Sequence, residues 1–259
     1  QCLKFVEKLL VDPTTIKRPL LGLSFASCSL TSTDLGALGR ALQSDAGQQL
    51  TAFSISQNPG VDRDAWHSLW AHLPEKAQWL DFGDNKLVDA DVTPLIADLP
   101  AEVDKLYLDG NNLQDLSKLC QSLPDSNIAN LDLGDNDIDD TNATMLSTVL
   151  PNSVVQLLVL GTNPIGAAGI SSLINKLPHT CIEELYLDHT GADDTCLAAL
   201  SNVVKDSKLI ELHMDSTKIT DGGVRDLIPH IGASKLRYID VGGNGVSHAT
   251  VELLDASAA

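Results

Sequence analysis

The chain is poor in aromatic side chains, in basic charge and in long apolar runs, and each scarcity narrows what it can be. Phe, Trp and Tyr make up 4% of its 259 residues. A core must then be filled mainly by Leu, Ile, Val and Ala, which suits many thin repeated layers better than one large interior. Lys and Arg number 17 against 35 Asp and Glu, a net charge of −18. Such a chain repels phosphate backbones and anionic membranes, so nucleic acid is not an expected partner. Solubility or a basic protein partner accounts for the acidic excess. No stretch approaches the roughly 18 consecutive apolar residues of a membrane span, so membrane insertion is not expected either. Gln1-Cys2-Leu3-Lys4-Phe5 lacks the basic start and apolar run of a signal peptide. The cysteines Cys2, Cys28, Cys120, Cys181 and Cys196 are odd in number, scattered and without a CxxC pair, which argues against a disulfide framework and against tetrahedral zinc. An intracellular, reducing compartment, the cytoplasm first, is the expectation. The missing initiator Met is what processing, or a start inside a longer chain, leaves.

What is present is a repeat. Leu106-Tyr107-Leu108-Asp109-Gly110-Asn111-Asn112-Leu113, with Val103 three residues before, reads L-x-x-L-x-L-x-x-N-x-L. The pattern returns at Leu80-Asp81-Phe82 to Asn85, Leu131-Asp132-Leu133 to Asn136, Leu158-Val159-Leu160 to Asn163 and Ile239-Asp240-Val241 to Asn244. Further copies run from Phe53 to Asn58, from Leu23 to Cys28, from Leu185 to Thr190 and from Leu212 to Thr217. The first apolar positions are Leu20, Leu50, Ala77, Val103, Ile128, Val155, Ile182, Leu209 and Leu236, spaced 25 to 30 residues apart. Fixed-period self-similarity of this kind specifies a stack of identical supersecondary units.

Each copy holds two periods. Apolar alternation marks a short strand, and the three-to-four spacing after it marks a helix, as in Gly169 to Leu177 and Asp194 to Leu200. Asp34, Asp62, Asp91, Asp139, Asp193 and Asp221 fall near the helix starts, where a carboxylate caps free N–H groups and opposes the positive end of the dipole. Pro74, Pro100, Pro124, Pro151 and Pro178 follow helical leucines and stop the helix.

From about Leu20 to Leu254 the repeat resembles the ribonuclease-inhibitor-like leucine-rich-repeat family, and it is also similar to the repeats of Ran-GTPase activators. The resemblance implies an α/β leucine-rich-repeat solenoid of about nine repeats, with parallel strands on a concave sheet, helices on the convex side, and partners bound by the concave face or the rims. Within it, 20–259 form the solenoid and 1–19 an N-terminal helix or cap, with Leu3, Val6 and Leu10 on one helical face. After Leu254 the chain reads only Asp255 to Ala259, so cover for the last strand edge is expected from a partner or from further sequence.

The repeated polar residues are structural candidates. Asn58, Asn85, Asn111, Asn136, Asn163 and Asn244, with Cys28, Thr190 and Thr217 in the same slot, stand where the chain leaves each strand and meets unpaired backbone groups. Function must lie in the variable strand positions, whose alternation points them away from the core. These positions are small and neutral in the first two repeats, apolar in repeat six (Leu157, Val159, Gly161), and mixed acid and aromatic elsewhere. Rings beside carboxylates suit an interface that buries the ring and pairs a partner's Lys or Arg; a merely solvated strand face is the alternative. The candidate partner-binding residues are Trp79, Asp81, Lys105, Tyr107, Asp109, Asp132, Glu184, Tyr186, Asp188, Glu211, His213, Asp215, Tyr238 and Asp240.

Chemical motifs are weaker. Asp135 to Asp139 imitates the start of a calcium loop, but Asp140 takes the glycine position and Leu146 the final acidic one. His179, Cys181, His189 and Cys196 do not converge on one point in the repeat. His213 has acidic and aromatic neighbours but no nucleophile in its columns. No cofactor, metal or enzyme activity is expected. The leading expectation is a non-catalytic protein-interaction scaffold. The alternatives are a small-GTPase activator of the Ran-activator type and a structural subunit of a larger assembly.

Overall fold

The computed structural model describes residues 20–258, so the expected helix or cap at 1–19 lies outside the described residues. These divide into two compact units, 20–112 with Ser126–Ile128, and Leu113–Asp125 with 129–258. In both, each sequence repeat forms one coil of strand, turn and helix. The first unit holds β1 (Gly22–Ser24), β2 (Ala52–Ser54), β3 (Trp79–Asp81) and β4 (Lys105–Tyr107), with helices α1 (Ser32–Leu42), α2 (Arg63–Trp70) and α3 (Asp89–Ala97) between them. Its strands are parallel and in sequence order, with Gly22, Ala52, Trp79 and Lys105 in register. The second unit holds α4 (Ser117–Ser122), β5 (Asn130–Asp132), α5 (Asp140–Val149), β6 (Leu157–Val159), α6 (Ala167–Ile174), β7 (Glu184–Tyr186), α7 (Asp194–Val203), β8 (Glu211–His213), α8 (Asp221–Ile231), β9 (Tyr238–Asp240) and α9 (His248–Ala258). Strands β5 to β9 are again parallel neighbours, with Asn130, Leu157, Glu184, Glu211 and Tyr238 in register. A parallel pair needs a crossover, and the helix of each coil supplies it. Both units are leucine-rich-repeat stacks.

The middle residue of strands β2 to β8 points inward: Phe53, Leu80, Leu106, Leu131, Leu158, Leu185 and Leu212 are all fully buried, whereas Leu23 of β1 and Ile239 of β9 are half-buried. Aromatics are not spread evenly through this core. In the first unit Trp66 and Trp70 stack with ring centres 5.1 Å apart, and Phe82 meets them edge-on at 6.3 and 4.7 Å. The indole N–H of Trp70 donates to the Asp91 carbonyl at 2.8 Å, which satisfies the polar end of a buried ring. In the second unit the interior is aliphatic, with Cys120 and Cys196 among the buried side chains. Burial pushes both thiols up, that of Cys120 to about 12, so they act as small apolar fillers.

The helix starts are built by the expected aspartates in three ways. Asp62, Asp139 and Asp193 are N-caps, accepting from Ala65, Asn142 and Thr195 N–H at 3.0, 3.0 and 2.9 Å. Asp34 and Asp91 sit one turn in and reach back to Thr31 and Val88 N–H. Asp221 follows the cap Thr220 and binds the next coil, accepting from Ser247 N–H at 2.7 Å. Asp140 and Asp194 make the same lateral tie to Gly166 and Thr220 at 2.6 and 2.8 Å. Helices end in short 3₁₀ turns that contain Pro124, Pro151 and Pro178.

The asparagine slot carries the role its repetition implies. Asn58, Asn85, Asn111, Asn136 and Asn163 are buried. Each amide donates to carbonyls where its strand ends, and each carbonyl oxygen accepts from the preceding coil, as in Asn163 to Leu160 and Ile138. Thr190 and Thr217 donate to Leu187 and Met214 carbonyls in the same slot. Cys28 differs from the expectation: it is exposed and in the first described coil, with a 3.5 Å contact to its own Ala26 carbonyl. Asn142-Ala143-Thr144 has the spacing of an N-glycosylation sequon, but the Asn142 side chain is buried and bonded to Leu116 N–H and the Gln114 carbonyl. A further regularity lies in the backbone. Three residues beyond every strand the backbone is left-handed, at Ser27, Gln57, Asp84, Gly110, Asp135, Thr162, His189, Ser216 and Gly243, with φ between 49° and 63°.

Candidate protein-binding face

In each unit the candidate residues on the strands flank the middle strand residue and are half-buried or exposed, because strand alternation turns the leucines inward and their neighbours outward; Asp109, Asp188 and Asp215 follow just after their strands and are half-buried. In the first unit Trp79 and Tyr107 meet edge to face at 6.0 Å, beside the exposed Lys105. The Trp79 indole nitrogen is buried without a hydrogen-bond partner among the described residues. Asp81 accepts from the Ser54 hydroxyl at 2.8 Å and from Gly83 N–H at 3.1 Å. The Asp109 carboxylate leans over Gly83, 2.7 Å from where a Cβ would stand. That glycine makes room for the acid.

In the second unit the rings of Tyr186 and His213 lie parallel, centres 4.0 Å apart and planes 8° off. Tyr238 tilts onto the other side of His213 at 5.1 Å. Acids flank this stack on both sides. Glu184 and Glu211 lie in register on one side, and Asp188 and Asp215 follow the rings on the other. His213 Nε2 is 3.8 Å from the Glu211 carboxylate but makes no hydrogen bond among the described residues. His189 Nε2 is 3.9 Å from Asp215. Burial, then the charges of Glu184 and Glu211, push the Tyr186 phenol up. For Tyr238 the charge of Asp240 is the first cause and burial the second. Burial and the neighbouring carboxylates together disfavour loss of either phenol proton. No Lys or Arg occupies the outward strand positions of this unit.

The candidate acids separate into two kinds. Asp132 and Asp240 accept from Gly134 and Gly242 N–H at 2.9 and 2.8 Å, as Asp81 does from Gly83. These three close a turn at the strand end, and the spacing Asp-x-Gly in the sequence is the signal that would have shown it. Asp188, by contrast, has no hydrogen-bond or ion-pair partner among the described side chains; it leans over Gly161, 2.5 Å from a Cβ position there. His189 was not read as a face residue, and it is exposed at the rim beside Asp215.

No family model matches the chain, and no curated protein does. Among solved structures it is similar to the yeast Rad7 and Elc1 complex, with a TM-score of 0.59 and 14% identity over 98% of this chain and 70% of that one. It is also similar to an internalin of Listeria monocytogenes, with a TM-score of 0.52 and 14% identity over 85% of this chain and 67% of that one. The likeness is one of fold, and it agrees with the leucine-rich-repeat stack.

Proposed function

We propose that the chain is a non-catalytic protein-interaction module that binds a basic partner through the sheet face of its second unit. The observation that carries this reading is the stack of Tyr186, His213 and Tyr238 between carboxylates, with no cation among the outward strand residues. Rings supply contact area at small entropic cost, and acids on their rim steer a basic partner and fix its register. One of the similar folds was solved as a two-protein complex, Rad7 with Elc1, a precedent in kind for an assembly built on this fold. In the first unit, Trp79 and Tyr107 offer a separate aromatic contact.

The test is charge reversal away from the core. Asp188→Lys with Asp215→Lys, used as bait in a native extract, is expected to lose the specific protein that wild-type chain retains, with the urea midpoint unchanged. Equal retention of that protein by the variant refutes the face as the binding surface.

A further inference from the structure

The sheet face of the second unit changes height between β6 and β7. Coil six presents Leu157, Val159 and Gly161 outward, whereas coil seven presents Glu184, Tyr186 and Asp188. Tyr186 has one ring face covered by His213. Its neighbour on the other side is Val159, in register on β6, so the second ring face looks over an aliphatic residue at a step in the surface. Asp188 stands two residues on, about 6.7 Å along the strand, and leans over that same step because Gly161 has no side chain to prevent it. Its carboxylate has no hydrogen-bond or ion-pair partner among the described residues.

A flat apolar floor, an aromatic wall and a carboxylate at the end together match a planar cation. Resting on the protein-binding reading above, we propose that this step receives an arginine side chain of the partner. The guanidinium stacks on the open face of Tyr186 and presents its N–H fork to Asp188, while the aliphatic stem lies over Val159. Arginine fits where lysine does not, because its delocalised plane is weakly hydrated and can stack and pair at once, whereas an ammonium holds its water and acts as a point charge. Glu184, on the far side of the ring, adds negative potential. The first unit has no equivalent, since Tyr107 is met edge-on by Trp79 and Lys105 brings a positive charge to its strand.

Two synthetic peptides of equal charge separate shape from charge: acetyl-(Gly-Arg)4-amide and acetyl-(Gly-Lys)4-amide, titrated calorimetrically into the chain at low salt. The arginine peptide is expected to bind about tenfold more tightly. Tyr186→Leu should bring it down to the lysine peptide's level, while Tyr186→Phe, which keeps the ring, should retain the preference and so excludes a folding defect. Asp188→Asn should weaken the arginine peptide more than the lysine one. Equal binding of the two peptides to wild type overturns the arginine site but leaves the acidic protein-binding face standing. Binding of neither overturns the arginine site, and the charge-reversal capture then decides the wider reading by itself.

Discussion

A single side chain can close five backbone groups at once in this fold, and Asn111 does so. Its oxygen accepts from Asn85 and Leu87 N–H at 3.1 and 2.9 Å. Its amide donates to the carbonyls of Phe82, Leu108 and Asp109 at 3.1, 2.9 and 3.0 Å. Asn111→Ala leaves those buried groups without partners, and a loss of about 3 kcal/mol of stability is expected from urea unfolding. A loss below about 1 kcal/mol would mean that water takes over the role. This residue was legible in the sequence because it recurs at a fixed interval. Asp81 was only half legible. Alternation gives its place beside the buried Leu80, but its carboxylate is held by Gly83 N–H and the Ser54 hydroxyl, a local use that the column of strand positions does not reveal.

At the scale of the element, the helix starts set the response to acid. The hydroxyl of Thr31 holds the Asp34 carboxyl below its ordinary value of 3.8, the N–H of Asn142 does so for Asp139, and the hydroxyl of Thr195 for Asp193. Each carboxyl is more acidic folded than unfolded, so the stability it contributes is present above the unfolded pKa and is lost as the pH falls through the lowered folded one. The urea midpoint should therefore drop below about pH 4. Asp139→Asn keeps a capping oxygen without the titration, and its acid limb should be shallower than that of wild type. Superimposable limbs would show that this cap is not linked to pH. Aspartate before a helix was visible in the sequence. That Asp140, Asp194 and Asp221 bind the following coil was not, because the acceptor's partner lies about one repeat further on.

For the whole molecule the dominant quantity is the net charge of −18. Among the described residues Arg63 pairs with Asp91 at 2.6 Å and Arg225 with Asp221 at 3.6 Å. With 35 acidic residues against 17 basic ones, repulsion outweighs favourable pairing, and salt should relieve it. The melting temperature is expected to rise between low salt and about 0.5 M NaCl, followed by circular dichroism. A fall on adding salt would show that specific ion pairs, not repulsion, set the electrostatic balance. The partner's association should respond in the opposite sense, since the same screening weakens attraction to a basic surface.

The fold was determined by the sequence itself, because a period of 25 to 30 residues places one leucine set, one polar slot and one helix in every coil, and only stacking buries them all. Which residues would face outward was equally fixed by alternation. Tertiary structure decided what those outward residues become. Stacking in register brought Tyr186 against His213, although they are a whole repeat apart in the chain. It set Trp79 edge-on to Tyr107. It drew Asp188 over Gly161, without a hydrogen-bond or ion-pair partner among the described residues, while Asp81, Asp132 and Asp240 were absorbed into turns. The physical reason is that periodicity specifies direction, whereas contact geometry depends on the side chain in the next coil, and that neighbour is chosen by the register of the sheet.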